Sequence, residues 1–282
     1  MRGGPARRCR MQRLSCRLST VMLLCALGLS AAAEPVAAHK QEGTVHGYLV
    51  LKTEGGHVAA VGDLLQVVHG SRVTSHMIFH FRDGSLDDET TVFSQHGNFR
   101  LISDHHIQKG PFFPRPMDLS INARSGEVTT RSVGKDGKED VKTEHMKLPP
   151  DLYNGMIIPV MKNLEHNAEV DVSMIVTTPK PRLVKLAISP EGDDNFFLAG
   201  FKRTALHYEI KIELGGLAGM VAPLVGKQPP NIQVWIEGGE IPGFVGEEGP
   251  ISQDGQAVTI QQTGPTLPAA AHESETNSGN GE

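Results

Sequence analysis

The chain has 282 residues, with 27 basic and 32 acidic side chains and a formal net charge of −5. All three cysteines lie within the first 25 residues, so the rest of the chain has neither disulfide nor thiol chemistry. Six arginines also lie in that first segment, which leaves 21 basic residues against 32 acidic ones downstream, a formal charge of −11. This balance makes nucleic acid a poor partner.

Residues 1–38 are predicted to be a secretory signal peptide. A basic segment without acidic residues precedes a short apolar run, and the alanines at 31–33 supply a cleavage site, although a cut after Ala38 also fits. Both Met1 and Met11 suit the start of such a leader. Because the apolar run is shorter than the roughly 20 residues that span a bilayer, we expect a periplasmic or secreted protein, and an uncleaved membrane anchor is the alternative. No transmembrane segment is expected after cleavage.

Downstream, two-residue alternation of apolar and polar side chains predicts an antiparallel meander. The run 72–82 has one apolar face, and Asp83-Gly84 then favours a type I′ hairpin turn into the run 86–95. Alternating runs separated by turns continue the first half of the chain: 99–108, 117–123, 127–133 and 139–146. The second half has five more: 170–177, 182–189, 205–214, 231–237 and 256–262.

One segment departs from this period. Between residues 150 and 164, apolar side chains form a single helical stripe: Leu152, Met156, Ile157, Val160, Met161 and Leu164. Pro159 inside this stripe predicts a kinked or two-part helix. The sequence therefore predicts a mainly β protein, a large curled antiparallel sheet (half-barrel) whose concave apolar face is covered by one amphipathic helix. This domain spans 39–263, and the polar segment 264–282 is predicted to be a disordered tail.

Several phrases of the chain resemble a known group of proteins. They are the runs 81–93, 108–112, 152–156, 225–230 and 234–236. Together they resemble an uncharacterised family of exported bacterial proteins, similar to the domain-of-unknown-function proteins that share the curled antiparallel sheet of the lipoprotein localisation factors. The resemblance covers roughly 41–262 and implies an envelope protein whose sheet holds a lipid or another apolar molecule. It carries over no functional residue.

Histidine and acidic side chains raise the question of a metal site. His76 and His80 share a strand face but lie roughly 13 Å apart, and the adjacent His105 and His106 point to opposite faces. We interpret these histidines as solvent-facing and predict no metal and no cofactor. The run Asp87-Asp88-Glu89 lacks the ligand spacing of a calcium loop and is interpreted as a solvated strand edge.

No catalytic motif is recognisable in the sequence. The glycine-rich run 215–227 lacks the glycine spacing and the final Ser or Thr of a phosphate-binding loop, and it is interpreted as an apolar crossover. The chain also lacks a G-x-S-x-G elbow. We therefore expect a protein that is not an enzyme.

Two functional hypotheses follow from the predicted fold. The first is a binding protein that shelters a lipid-like or apolar molecule between sheet and helix. The residues predicted to line that site are Phe79, Phe81, Met156, Val160, Met161, Tyr208, Ile210 and Trp235. Ordinary core packing is the alternative for each of them. The second hypothesis is an envelope scaffold or assembly protein that uses the sheet face or its edge to bind another protein.

Overall fold

The structure, a computed structural model, describes residues 34–133, 136–177, 180–198, 200–214 and 229–263. The predicted leader up to residue 33, the glycine-rich run 215–227 and the predicted tail 264–282 lie outside the described residues. Among the residues described, no helix has the length and the apolar character needed to cross a membrane.

Fourteen strands in the described residues form one antiparallel sheet. The first eight are β1 (Val45–Thr53), β2 (Val58–His69), β3 (Arg72–Phe81), β4 (Leu86–Ser94), β5 (Arg100–Lys109), β6 (Met117–Asn122), β7 (Glu127–Val133) and β8 (Glu139–His145). The short helix α1 (Ile157–Met161) precedes β9 (Val170–Val176), β10 (Arg182–Leu198), β11 (Phe201–Glu213), β12 (Ile232–Glu237), β13 (Gly243–Pro250) and β14 (Ala257–Thr263).

The sheet is open at one place. Each strand pairs with its neighbours in sequence, except that β8 and β9 do not pair with each other. Instead β14 pairs with β1, which joins the two halves of the chain into one continuous sheet. The two free edges are therefore β8 and β9, the strands between which α1 lies in sequence.

The mainly β prediction is confirmed, and the alternating runs lie on strands. On β3, Val73, Phe79 and Phe81 are buried as the pattern indicates. The sequence pattern does not predict β1, β2 and β13. In β1 and β2, apolar residues fall on both faces, and β13 contains three glycines and a proline. Their pairing partners, rather than their composition, make these segments strands.

The turn after β3 differs from the predicted type I′ geometry. Gly84 has a φ of +86°, but Asp83 is not among the described residues with positive φ. The N–H of Gly84 donates to the carbonyl of Phe81 at 3.2 Å, and the N–H of Phe81 donates to the carbonyl of Ser85 at 3.1 Å. The loop therefore has three residues with glycine in the left-handed position, a common alternative for hairpins.

The helix predicted over 150–164 is reduced to α1, which is little more than one turn long. Gly155, with a φ of +64°, interrupts the chain just before it. Pro159 has no N–H, and its ring excludes the carbonyl of the residue four positions earlier, so the helix cannot extend further toward the N-terminus. The apolar residues of the stripe do belong to the core. The helix, however, begins two residues before Pro159, where the pattern predicts a kink within a longer helix.

Residues 151–156, which we call the closing segment, lie along the free edge of β9. The N–H of Tyr153 donates to the carbonyl of Ser173, and the N–H of Ser173 donates to the carbonyl of Asp151, both at 2.9 Å. The amide of Asn154 donates to the carbonyl of Ile175 at 3.0 Å and accepts from its N–H at 2.9 Å. The closing segment thus satisfies the edge of β9 in place of a paired strand.

Two clusters of buried apolar side chains fill the concave side of the sheet. The first joins α1 and the closing segment to strands on both sides of the opening, and Met156, Val160 and Met161 are among its most buried members. The second lies beneath β1, β3 and β14 and includes Leu51, Phe79 and Ile260. The predicted covering role of the helix therefore applies to the first cluster.

The contact of Gly155 with β4 and β5 gives a test of this packing. A Cβ at Gly155 would collide with Thr91 Oγ1 and lie 2.9 Å from Asp104 Oδ1. We expect Gly155→Ala to lower the free energy of unfolding by roughly 2 to 5 kcal/mol, because left-handed strain adds to overpacking. Gly137→Ala is the matched control. Gly137 has a φ of +78° with nothing within 4 Å of its Cβ position, so only the strain of about 1 to 2 kcal/mol applies. Urea unfolding of both variants measures the difference, and equal losses would contradict the packing.

Candidate functional site

The inward face of β4 and β5 carries ionisable side chains. Asp87 and Glu89 lie on β4, and Asp104 and His106 lie on β5. The register places Glu89 directly opposite His106, so the two side chains share a face. Met77 on β3 is opposite Glu89 and continues the same row. Because the sheet curls, these inward side chains meet inside it.

Short contacts join His106 to two carboxylates. His106 Nε2 lies 2.6 Å from Asp87 Oδ1, and His106 Nδ1 lies 3.4 Å from Glu89 Oε1. Gln108 Nε2 donates to Asp87 Oδ2 at 3.0 Å and to the carbonyl of Ile251 at 2.8 Å. The shorter contact identifies Asp87 as the main counter-ion of a protonated His106.

Burial and neighbouring charge shift the pKa values of His106 and Glu89 in opposite directions. Burial alone would lower the pKa of His106, but the carboxylates of Glu89 and Asp87 outweigh it and raise that pKa to about 10. Burial also raises the pKa of Glu89, although the charge of His106 opposes this rise. An imidazolium bound to Asp87 is therefore the expected state of His106 near neutral pH.

Asp104 is the most deeply buried acid of the group, with 2% of its surface exposed. Thr91 Oγ1 donates to its Oδ1 at 2.8 Å, while its buried Oδ2 has no hydrogen-bond partner among the described residues. Burial, followed by the charge of Glu89, raises the pKa of Asp104 to about 8. Asp104 is thus largely protonated at neutral pH.

A further acid approaches from the opposite side of the sheet. Glu247 on β13 is directly opposite Val234 and Ile260, two inward-facing residues. Removal from water raises its pKa to about 7, and its charge contributes to the raised pKa of Glu89. We call the five residues Asp87, Glu89, Asp104, His106 and Glu247 the carboxylate–histidine cluster.

The cluster lies at the level between the two apolar clusters. One row of inward residues, which runs across the strands from β1 to β5, is half-buried throughout. Its members are Gly47, Leu64, Met77, Glu89 and His106. The rows on either side include fully buried residues such as Phe79 and Ile121. Solvent therefore reaches an interior layer that has apolar side chains on β2 and β3 and ionisable ones on β4, β5 and β13.

A small concavity of about 200 Å³ lies near this layer. Its lining includes Gln108, which hydrogen-bonds Asp87, together with Arg115, Met117 and Thr177. Gln108 thus contacts both the concavity and Asp87 of the carboxylate–histidine cluster. A second and more open groove, of about 720 Å³, has a largely polar lining that includes Thr90, His105, Ser120, Thr129, Arg131 and Thr143.

The residues predicted to line a ligand site do not lie together. Phe79 and Phe81 belong to the second apolar cluster, and five others are packed in the first: Met156, Val160, Met161, Tyr208 and Ile210. Trp235 is half-buried on the other face, where it stacks on His207 with ring centroids 4.7 Å apart. None of the eight lines either concavity, and their role in ligand binding stays a prediction.

Two interpretations of polar residues are wrong. His106 faces inward rather than toward solvent, whereas His105 is exposed as expected. Asp87 and Glu89 lie on a central strand and point inward, so they are not a solvated edge. The predicted turn did not signal this: a two-residue turn at residues 83–84 would pair Phe79 with Asp88, whereas the three-residue loop pairs Phe79 with Asp87 and so turns Asp87 and Glu89 inward. Glu247 had no signal either, because its strand is not predicted.

The cluster does not form a metal site by its geometry. Among the described residues, no three His, Cys, Asp or Glu side chains are placed to share a metal ion. What the arrangement can do is hold protons and offer carboxylate acceptors to a donor group that enters the layer.

Comparison with known proteins gives one similar structure. It is a β-barrel-like protein of a domain of unknown function, DUF1849, from Brucella abortus, with 8% sequence identity, a TM-score of 0.42, and coverage of 79% of this chain and 98% of that chain. No family model and no curated protein matches the sequence. The predicted likeness to lipoprotein localisation factors stays a prediction.

The raised pKa values predict a fold that loses stability as pH rises. An acid such as Asp104, which ionises near pH 4 when unfolded and at about 8 when folded, stabilises the fold less and less across that range. Glu89 and Glu247 act in the same direction, and the stability that His106 contributes below about pH 6.5 is lost as pH rises toward 10.

We expect the free energy of unfolding to fall between about pH 5 and about pH 9, and Asp104→Asn to flatten this decline by an amount on the order of a few kcal/mol. Asp118→Asn, on the outer face, is the control and should leave the slope unchanged. Urea titrations across this range measure both. If the free energy of unfolding of the wild type rose toward pH 9, that result would contradict the burial of these acids.

Proposed function

We propose that the protein is an exported, non-catalytic binding protein whose site is the interior layer between its two apolar clusters. The carboxylate–histidine cluster carries this proposal, because its ionisable side chains point inward at a level that solvent still reaches. Buried charges seldom stabilise a fold more than apolar residues of the same volume do, so folding alone gives little reason for such a cluster. Ligand binding gives one.

The lining favours a small amphiphile. Leu64 and Met77 offer apolar contacts, and Met77 adapts easily to different shapes. Glu89 and Glu247 offer carboxylate acceptors, which match the donors of an amine or a hydroxyl group. This proposal keeps the lipid-like ligand expected from the sequence and moves its polar end from the sheet–helix interface to the middle of the sheet.

The sheet–helix interface is less suited to a ligand. Met156, Val160 and Met161 are almost completely buried in the first apolar cluster. A molecule could enter there only by separating α1 from the sheet, at the cost of several kcal/mol of buried apolar surface. The interior layer needs no such separation.

Competition between two probes of equal chain length tests the proposal. Dodecylamine should displace a neutral fluorescent probe from the protein, N-phenyl-1-naphthylamine, at a concentration roughly tenfold or more below that needed for dodecanoate, since the carboxylates favour a cation. Glu247→Gln should reduce this preference by about tenfold, the scale of one charge-assisted hydrogen bond.

Glu248→Gln is the matched control, because Glu248 is the exposed neighbour of Glu247 on the other face of β13. It should retain the preference. Equal losses in the two variants would place the amine elsewhere on this acidic protein. Native mass spectrometry showing an empty protein, with no probe binding, would overturn the proposal.

A scaffold role is the second candidate, and β8 is the observation that favours it. In the described residues this strand pairs only with β7 and is exposed over almost its whole length. Its charged side chains, including Asp140 and Lys142, discourage indiscriminate pairing and leave room for a specific partner. A stable complex with an envelope protein and no bound small molecule would favour this role.

Export belongs to the proposal, and the fold favours one cleavage position. The N–H of Val36 donates to Tyr153 Oη at 2.8 Å, and the carbonyl of Val36 accepts from the N–H of Phe99 at 2.9 Å. The N–H of Ala38 donates to the carbonyl of Gly97 at 2.8 Å. A cut after residue 38 would remove these contacts, whereas a cut after residue 33 keeps them.

We therefore expect the exported protein to begin at Glu34. Intact-mass measurement and N-terminal sequencing of the periplasmic or secreted form check this position. A mature chain that begins at His39 would show that the contacts of Val36 are dispensable, and a chain that retains the leader would contradict export by cleavage.

A further inference from the structure

The hairpin of β10 and β11 extends beyond the strands on either side of it. β9 pairs with β10 over Arg182–Ile188, and β12 pairs with β11 from Ala205 onward. Past these limits, residues 195–198 and 201–204 pair only with each other among the described residues. A two-stranded ribbon thus projects from the sheet, and we call residues 196–198 and 201–203 the hairpin tip.

The hairpin tip exposes large aromatic side chains. Phe197 is 72% exposed and Phe201 is 75% exposed, in a protein whose other phenylalanines on strands are largely buried. The register pairs Phe197 with Lys202 and Phe196 with Arg203. Since successive residues of a strand point to opposite faces, Phe197 lies on one face of the ribbon and Phe201 on the other. The tip is therefore apolar on both faces.

Charges follow the aromatic residues in a definite order. Lys202 and Arg203 are exposed and come directly after Phe201, roughly 3 to 7 Å along the strand. The acids lie farther back on the ribbon, and Asp194 is engaged there by Trp235 Nε1 at 2.9 Å. Arg203 also pairs with Glu237 at the base of the ribbon. From the end inward, the order is aromatic, basic, acidic.

We propose that the hairpin tip inserts Phe197 and Phe201 into the surface of an anionic lipid bilayer. A protein partner would normally cover one face of a ribbon, whereas a tip that is apolar on both faces suits an environment that surrounds it. Interfacial insertion reaches roughly 5 to 10 Å, which places Lys202 and Arg203 at the level of the headgroup phosphates. Their aliphatic stems extend along the apolar boundary while their charges remain in the headgroup region. This inference does not depend on the interior ligand site.

Vesicle flotation of the purified protein tests the insertion. The protein should associate with vesicles of phosphatidylcholine and phosphatidylglycerol more strongly than with phosphatidylcholine alone, and added salt should weaken the association. The double variant Phe197→Ser, Phe201→Ser should lower the partition coefficient by roughly tenfold or more. Lys202→Glu should lower it on the anionic vesicles only.

Val141→Ser is the matched control, because Val141 is an exposed apolar residue on β8, outside the hairpin. It should bind vesicles as the wild type does. All the substituted side chains are exposed, so circular dichroism and the thermal midpoint should be unchanged. Absence of vesicle binding by the wild type, wild-type binding by the double serine variant, or an equal loss in Val141→Ser would each overturn the inference.

Discussion

The pairing of the closing segment with β9 is the interaction on which the rest of the structure depends. Because Asp151, Tyr153 and Asn154 satisfy the edge of β9, the sheet need not close onto β8. Tyr153 also accepts the N–H of Val36 through its hydroxyl, so one buried side chain joins the start of the domain to its middle. The same segment then carries Met156 and α1 over the concave face, which completes the first apolar cluster.

This segment also contributes to the raised pKa of Asp104. Gly155 passes so close to Thr91 and Asp104 that no side chain fits there, and the backbone covers the Asp104 carboxylate. Loss of hydration, not a neighbouring charge, is the main cause of the raised pKa of Asp104. The fold and the chemistry of the site are therefore linked: the contact that replaces a strand pair also desolvates an acid.

The strand pattern could be predicted from the sequence because one face of most strands is apolar, as on β3 and β11. The inward position of Asp87 and Glu89 could not be predicted, since the two-residue turn that Asp83-Gly84 favours would place Asp88 opposite Phe79, one residue away from the observed register. Nor could the parallel contact of Leu152 with Ser173, because no local pattern specifies it. The helical stripe over 150–164 was misleading for the same reason: its apolar residues are buried by distant strands, and Pro159 prevents the helix from extending toward the N-terminus.

Four histidine–aspartate pairs show how much the surroundings of one contact geometry decide. In each pair the aspartate lies on the neighbouring strand, opposite the residue two positions after the histidine. The four pairs with this diagonal geometry are His46–Asp63, His76–Asp88, His105–Asp118 and His106–Asp87. Contacts of 2.6 to 3.1 Å occur in all four. The first three are on the outer face, where solvent screens the pair and the expected contribution to stability is at most about 1 kcal/mol. Only His106–Asp87 lies inside, with Glu89 beside it, and there the same geometry holds a proton on the imidazole well above neutral pH. The strand period assigns one of two adjacent histidines to the interior, and there the two carboxylates beside it, not the aspartate pair alone, keep the imidazole protonated.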